Sequence, residues 1–110
     1  MQVTKGMRDF YPEEHKLREW LFEKFRGAAS RSGFQFYDCP ILESEELYIR
    51  KAGEEITDQL YTLQDKSGRA LALRPEMTPS LARMVIQKFK ELPGVIKWSS
   101  IPQCFRYERM

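Results

Sequence analysis

The stretch from Tyr11 to Ser32 constrains this chain most, because its apolar residues recur at three- and four-residue steps between a proline and a glycine. Leu17, Trp20, Leu21, Phe25, Ala28 and Ala29 share one stripe of the predicted helix, and Phe22 falls off it. Pro12 suits the first turn, where its missing N–H has no helical partner. Glu13 and Glu14 lie at the positive dipole end, and Arg26 and Arg31 lie toward the negative one. Gly33 supplies the stop. An amphipathic helix of this length needs a covering layer, so the chain must bury the stripe itself or present it as an interface.

Beyond Gly33 the pattern changes. Phe34-Gln35-Phe36-Tyr37 has aromatic residues at period two and closes on Pro40, as a short or edge strand does. Glu43 to Ala52 reads as a short helix ended by Gly53, and Glu54 to Gln59 as a polar connector. Leu60-Tyr61-Thr62-Leu63 and Ala70-Leu71-Ala72-Leu73 flank Asp65-Lys66-Ser67-Gly68, which predicts an antiparallel hairpin. A second helix is expected from Thr78, as N-cap, with Pro79 at its first position, to about Leu92 before Pro93-Gly94. The apolar run Val95 to Tyr107, broken at Pro102, reads as a final strand. A strand ending so close to Met110 has no return partner, so the sequence is expected to be a piece of a larger domain.

Composition excludes more than it selects. The 42% hydrophobic content, with seven Phe, five Tyr and two Trp, can build a core in one small domain. A formal charge of +2 is too small to mark a phosphate-binding surface, and Lys88, Lys90 and Lys97 are scattered rather than stacked with aromatics. Cys39 and Cys104 stand far apart, in neither metal-ligand nor disulfide-framework spacing, which reads as two free thiols in a reducing compartment. No window approaches the roughly 18 apolar residues of a membrane span, and the N-terminus has no signal-type apolar segment; a cytoplasmic protein is expected. His15, the single histidine, has no nucleophile or acid arranged around it and reads as a solvated helix residue. No glycine-rich phosphate loop and no metal-ligand spacing is present.

Two constellations can carry chemistry. In Arg74-Pro75-Glu76-Met77-Thr78 a strand end feeds a helix start, and Glu76 and Thr78 could hold an ammonium group between carboxylate and hydroxyl. The competing reading is an ordinary capped helix with an acid at its dipole. In Phe105-Arg106-Tyr107-Glu108, strand alternation puts Arg106 and Glu108 on one face. There the arginine fork could grip a phosphate or carboxylate, and Glu108 could orient it; the competing reading is a surface ion pair of little worth.

Taken in order, these pieces resemble the class II aminoacyl-tRNA synthetases. The helix followed by Gly33-Phe34 and closing on Pro40, about residues 12–40, is similar to the family's first motif, a helix and strand that build a homodimer interface. The start of its second motif resembles residues 101–110. The histidyl branch is suggested by Lys5-Gly6-Met7-Arg8-Asp9-Phe10 with Pro12, by Tyr61 to Asp65, and by Leu73-Arg74-Pro75-Glu76-Met77-Thr78 within an amino-acid pocket segment of about 71–80.

The resemblance implies an α+β fold, an antiparallel sheet flanked by helices, of which this sequence is an N-terminal fragment. It implies that Glu76 and Thr78 hold the α-amino group of histidine, and that Arg106 is catalytic, holding the α-phosphate of ATP and the reacting carboxylate. Glu108 would then lie near the adenine side. It further implies histidine, ATP, Mg²⁺ and tRNA(His) as substrates and partners of the full enzyme. The third motif and the rest of the second lie outside this sequence, so the piece alone is expected to be inactive. Met77 stands where glycine is frequent in this branch, and Gln103-Cys104 is a second departure. The synthetase-like regulatory subunit of ATP phosphoribosyltransferase and an independent dimerisation module are the alternatives.

Overall fold

Helix α1 runs over Pro12–Arg31, with Tyr11 at its N-cap, Glu13 and Glu14 in its first turn and Arg31 in its last. It ends through paired bonds, Phe34 N–H to Ala29 O at 3.0 Å and Gly33 N–H to Ser30 O at 3.0 Å. This closure needs a left-handed residue, and Gly33 takes φ +82° at no steric cost. The computed structural model describes residues 1–49 and 58–108. The described residues divide into two units, Met1–Tyr37 with Val95–Ile101, and Asp38–Gly94 with the segment 102–108.

In the first unit, no residue of α1 is buried. Leu17, Trp20, Leu21 and Phe25 are between 44% and 68% exposed, so the stripe anticipated from the sequence is present and unburied within the chain. Phe22, off the stripe, is half-buried, with the Arg18 and Arg26 guanidinium groups each 5.9 Å from its ring centre. β1, Gln35–Phe36, pairs in parallel with β5, Trp98–Ser99, placing Gln35 opposite Trp98. The long final strand expected over Val95 to Tyr107 is therefore corrected to this short one. Pro102 lacks the N–H that a continued ladder would use.

The second unit is built on a three-stranded antiparallel sheet of order β2-β4-β3. β2 is Leu42–Ser44, β3 is Thr62–Gln64 and β4 is Ala70–Leu73. The predicted hairpin is β3–β4, with Leu63 opposite Leu71. Its turn closes by Gly68 N–H to Asp65 O at 3.0 Å, with Gly68 at φ +85°. The helix expected over Glu43 to Ala52 is corrected: Leu42–Ser44 joins β4 as a strand, with Glu43 opposite Ala72, and among its described residues Glu46–Ile49, helix α2, is helical. The rest of that expected helix, and the connector through residue 57, lie outside the described residues.

Helix α3 spans Thr78–Gln87. Met77 already has helical dihedrals, φ −94° and ψ −22°, so it takes the boundary position and Thr78 becomes the first helical residue rather than the cap. The helix also stops short of Leu92, tightening to a 3-10 turn over Phe89–Glu91. Pro93 excludes helical geometry at the preceding residue, and Leu92 is extended at φ −91° and ψ 150°. Among the described residues the core is formed by Tyr48, Leu60 and Ala72, with Leu47 packed against them. Among the described residues no helix is long and apolar enough to cross a membrane.

Candidate functional site

The end of β4, the start of α3 and the segment after Pro102 meet within the second unit, and a buried arginine and a largely buried carboxylate brace it. Arg74 is 5% exposed. Its Nε donates to Gln103 O at 2.8 Å and its Nη1 to Cys39 O at 3.0 Å, while Asp38 Oδ1 lies 3.6 Å from Nη1. Its own amide donates to Ile41 O and its carbonyl accepts from Phe105 N–H, both at 2.9 Å. A guanidinium so far from water is tolerated because its donors meet acceptors.

The second group is Glu43. Its carboxylate accepts from Ser80 Oγ at 2.7 Å and from Arg83 Nη2 at 2.8 Å, and so ties α3 to β2. Ser80 is fully buried. The adjacent buried Tyr48 hydroxyl faces Ser80, whose oxygen can still accept while its proton goes to Glu43, but it meets no partner at full hydrogen-bonding geometry among the described residues. Burial pushes the Tyr48 phenol above its ordinary value.

On this support the structure brings two of the predicted site residues together. Arg106 Nη2 lies 3.5 Å from Glu76 Oε2, and Arg106 Nε is 3.3 Å from Pro75 O. Both side chains are about two-fifths exposed, at 39% and 41%, so water screens the pair and it is worth at most about 1 kcal/mol. A contact this weak exchanges readily for ligand groups. An ammonium can take the carboxylate and an anion the guanidinium, which is the charge pattern of a zwitterion or of an amine beside a phosphate.

Thr78 is exposed at the head of α3, two residues beyond Glu76. Glu108 is exposed, and no strand forms over the described residues 101–108, so strand alternation does not place it beside Arg106. Tyr107 is anchored by its N–H to Gln59 O at 2.7 Å and by an edge-on contact with Tyr61 at 5.7 Å. Cys39 Sγ lies 3.8 Å from Met77 Sδ, so the residue that departs from the synthetase wording is packed against a thiol.

Sequence reasoning did not single out Arg74, Glu43, Ser80 or Arg83 as functional. For Arg74 a signal existed, a charge at the end of the apolar run Ala70–Leu73 and before a proline that turns out buried. For Glu43 and Arg83 there was none, since the pair spans 40 positions.

A sequence profile of the family described as Histidyl-tRNA synthetase matches residues 6–110. The chain belongs to the histidyl-tRNA synthetase family. Its similarity to family members runs along almost its whole length: 57% identity over 106 residues to the chloroplastic/mitochondrial histidine--tRNA ligase of Arabidopsis thaliana, covering 96% of this chain and 22% of that protein. Identity to the histidine--tRNA ligase of Leptospira biflexa is 50%, again over 96% of this chain, and 24% of that one. The chain thus spans about a quarter of the length of the curated relatives it matches.

Among solved structures, a histidine--tRNA ligase subunit from Alicyclobacillus acidocaldarius superposes with TM-score 0.84 at 28% identity, over 97% of this chain and 32% of that one. A protein from Bacillus halodurans C described as ATP phosphoribosyltransferase regulatory subunit/histidyl-tRNA synthetase superposes with TM-score 0.87 at 27% identity, over 98% and 28%. The α+β architecture is accordingly a part of the synthetase fold of this family.

Proposed function

We propose that this chain is the N-terminal part of the catalytic domain of a histidine–tRNA ligase. In that reaction an oxygen of the histidine carboxylate attacks the α-phosphorus of ATP. The bond from that phosphorus to the bridging oxygen of pyrophosphate breaks, and histidyl-adenylate and pyrophosphate form. A terminal ribose hydroxyl of tRNA(His) then attacks the histidyl carbonyl, the carboxyl–phosphate anhydride breaks, and AMP leaves as the ester forms. The observation that carries the reading is the Glu76–Arg106 pair, 3.5 Å apart at the head of α3. It offers an anion for the α-amino group and a forked cation for carboxylate and phosphate on one support.

In this reading Glu76 and Thr78 hold the histidine ammonium. Arg106 neutralises charge as the α-phosphorus is attacked, an effect typically worth about 3 kcal/mol of barrier for a preorganised donor. Glu108 serves the adenine side of the ATP site. Among the described residues no three His, Cys, Asp or Glu side chains converge to hold a metal. Mg²⁺ therefore fits here as an ion carried on the nucleotide's phosphates and water rather than in a protein cage, and what it supplies is charge neutralisation of those phosphates. The exposed face of α1 fits a homodimer interface, and the cytoplasm is the compartment proposed from the sequence.

The test is amino-acid-dependent pyrophosphate exchange by the full-length enzyme. Exchange with histidine alone is expected, and Glu76→Ala should raise the histidine KM far more than the ATP KM. Equal effects on both would remove Glu76 from the histidine pocket. The Bacillus halodurans likeness favours a second reading, the non-catalytic regulatory subunit. A folded protein that exchanges with none of the twenty amino acids would establish that reading instead.

A further inference from the structure

Among the described residues Arg74 is the charged side chain withdrawn furthest from solvent, yet it lies outside the ligand-binding set proposed above. We propose that Arg74 is a positioning residue that sets Arg106 in place for the phosphate; this rests on the activating reaction proposed above. Three observations carry it.

The first is that the segment bearing Arg106 has no strand of its own to hold it. Among the described residues its backbone makes three hydrogen bonds to the rest of the unit: Phe105 N–H to Arg74 O at 2.9 Å, Tyr107 N–H to Gln59 O at 2.7 Å and Gln103 O from Arg74 Nε at 2.8 Å. Arg74 makes two of these three, one with its side chain and one with its backbone. They fall on Gln103 and Phe105, immediately before Arg106.

The second is the fork. Nε binds Gln103 O while Nη1 binds Cys39 O, at 2.8 and 3.0 Å, so two nitrogens of one rigid plane fix two chain segments at once. Lysine has a single nitrogen and cannot reproduce that spacing. The third is continuity. Pro75 O and Glu76, which Arg106 touches at 3.3 and 3.5 Å, directly follow Arg74 in sequence. A shift of Arg74 therefore reaches Arg106 from the Pro75 side as well as through Gln103 and Phe105. Displacements of about 1 Å in a reacting group can cost a hundredfold in rate.

The experiment is a double-mutant cycle in the full-length enzyme, with Arg74→Lys and Arg106→Ala, read as single-turnover histidyl-adenylate formation and normalised to active sites by the adenylate burst. Thermal melts accompany each variant. Arg74→Lys should lower the rate per active site at least tenfold, with the histidine KM changed less than about twofold. In the Arg106→Ala background it should have less than about a twofold further effect, because the group it positions is gone. A merely structural role would lower the number of active sites and leave the rate per site intact.

Equal fold losses in both backgrounds would overturn the inference while leaving the proposed reaction standing. A wild-type enzyme without histidine-dependent exchange would overturn that reaction and this inference with it. If Arg74→Lys does not fold, Arg74→Gln takes its place in the cycle with the same expected pattern, since a neutral amide carries no buried charge and can serve one carbonyl.

Discussion

The two units of the chain place their apolar and polar residues in opposite ways. In the first, α1 carries Leu17, Trp20, Leu21 and Phe25 at 44% to 68% exposure, and no residue of the helix is buried. In the second, the buried residues among those described include Tyr48, Leu60 and Ala72 together with Arg74 and Ser80, so charge and hydroxyl lie inside while apolar rings of the first unit lie outside. The helix is specified locally, by Pro12, the acidic first turn and the Gly33 closure, and its apolar face is left available for another surface. The second unit is specified by long-range polar contacts, Arg74 to Cys39 and Gln103 and Glu43 to Ser80 and Arg83, which tolerate little rearrangement. A site that must hold a carboxylate and a guanidinium 3.5 Å apart belongs on the second kind of support.

The largest effect expected tests the exposed side of this contrast. If the α1 face is a subunit interface, Phe25→Asp places an unpaired carboxylate in it and should weaken dimerisation by at least about 4 kcal/mol, roughly a thousandfold in Kd. Sedimentation equilibrium of the full-length enzyme reads this directly, and an unchanged dimer would show that the face is covered by something else. Next in size is the polar side. Glu43→Ala strips Ser80 and Arg83 of their shared acceptor and should cost about 3 kcal/mol in urea unfolding. A loss under about 1 kcal/mol would mean that water replaces the carboxylate and that the second unit is less tightly specified than its contacts suggest.

How much of this was legible in the sequence follows the same division. The first helix and the β3–β4 hairpin were readable because Pro12, Gly33 and Asp65-Lys66-Ser67-Gly68 act over a few residues. Glu76 and Arg106 were singled out in separate motifs, and the structure brings them together. The strand at Leu42–Ser44 is hard to read because Glu43 faces Ser80 and Arg83 on α3 rather than solvent, while Leu42 and Ser44 are exposed, so the strand lacks the alternation that reveals one. The final strand was overextended because Phe105 and Tyr107 make single backbone bonds to Arg74 and Gln59 without a regular ladder, a difference that composition does not carry. The start of α3 was displaced by one residue because Thr78 is a better cap by type, yet Met77 already has helical dihedrals.

A smaller effect probes whether the polar interior is fully satisfied. Tyr48→Phe removes a buried hydroxyl that meets no partner at full hydrogen-bonding geometry among the described residues, and should be neutral or stabilising by up to about 1 kcal/mol. Desolvation raises the native value of this phenol. Its contribution is therefore full below the ordinary tyrosine value of about 10 and is lost as pH rises through the native one. The Phe variant should gain over the wild type above about pH 10. A clear destabilisation at neutral pH would mean that the hydroxyl is held by Ser80 or a bound water, and the contrast with α1 would sharpen accordingly.

The smallest effect concerns the hairpin turn, whose polar contacts are local where those of the second unit's anchors are long-range. Asp65 Oδ1 accepts the Arg69 backbone N–H at 2.9 Å and the Ser67 N–H and hydroxyl at 3.0 and 2.8 Å, while Oδ2 meets Arg69 Nε at 2.6 Å. Led by the Arg69 N–H, these donors hold the Asp65 carboxyl far below the ordinary range. A depressed native value means that the stabilisation is present above the unfolded value of about 3.9 and is lost as pH falls toward the native one. Asp65→Asn keeps the shape and removes the charge. The wild type should therefore be more stable than the variant at neutral pH, with the difference narrowing steadily below about pH 4. Urea midpoints of the two proteins across that range decide it. A constant gap down to about pH 2.5 would show that shape rather than charge closes the turn, and that local polar contacts in this chain matter less than the buried ones behind Arg106.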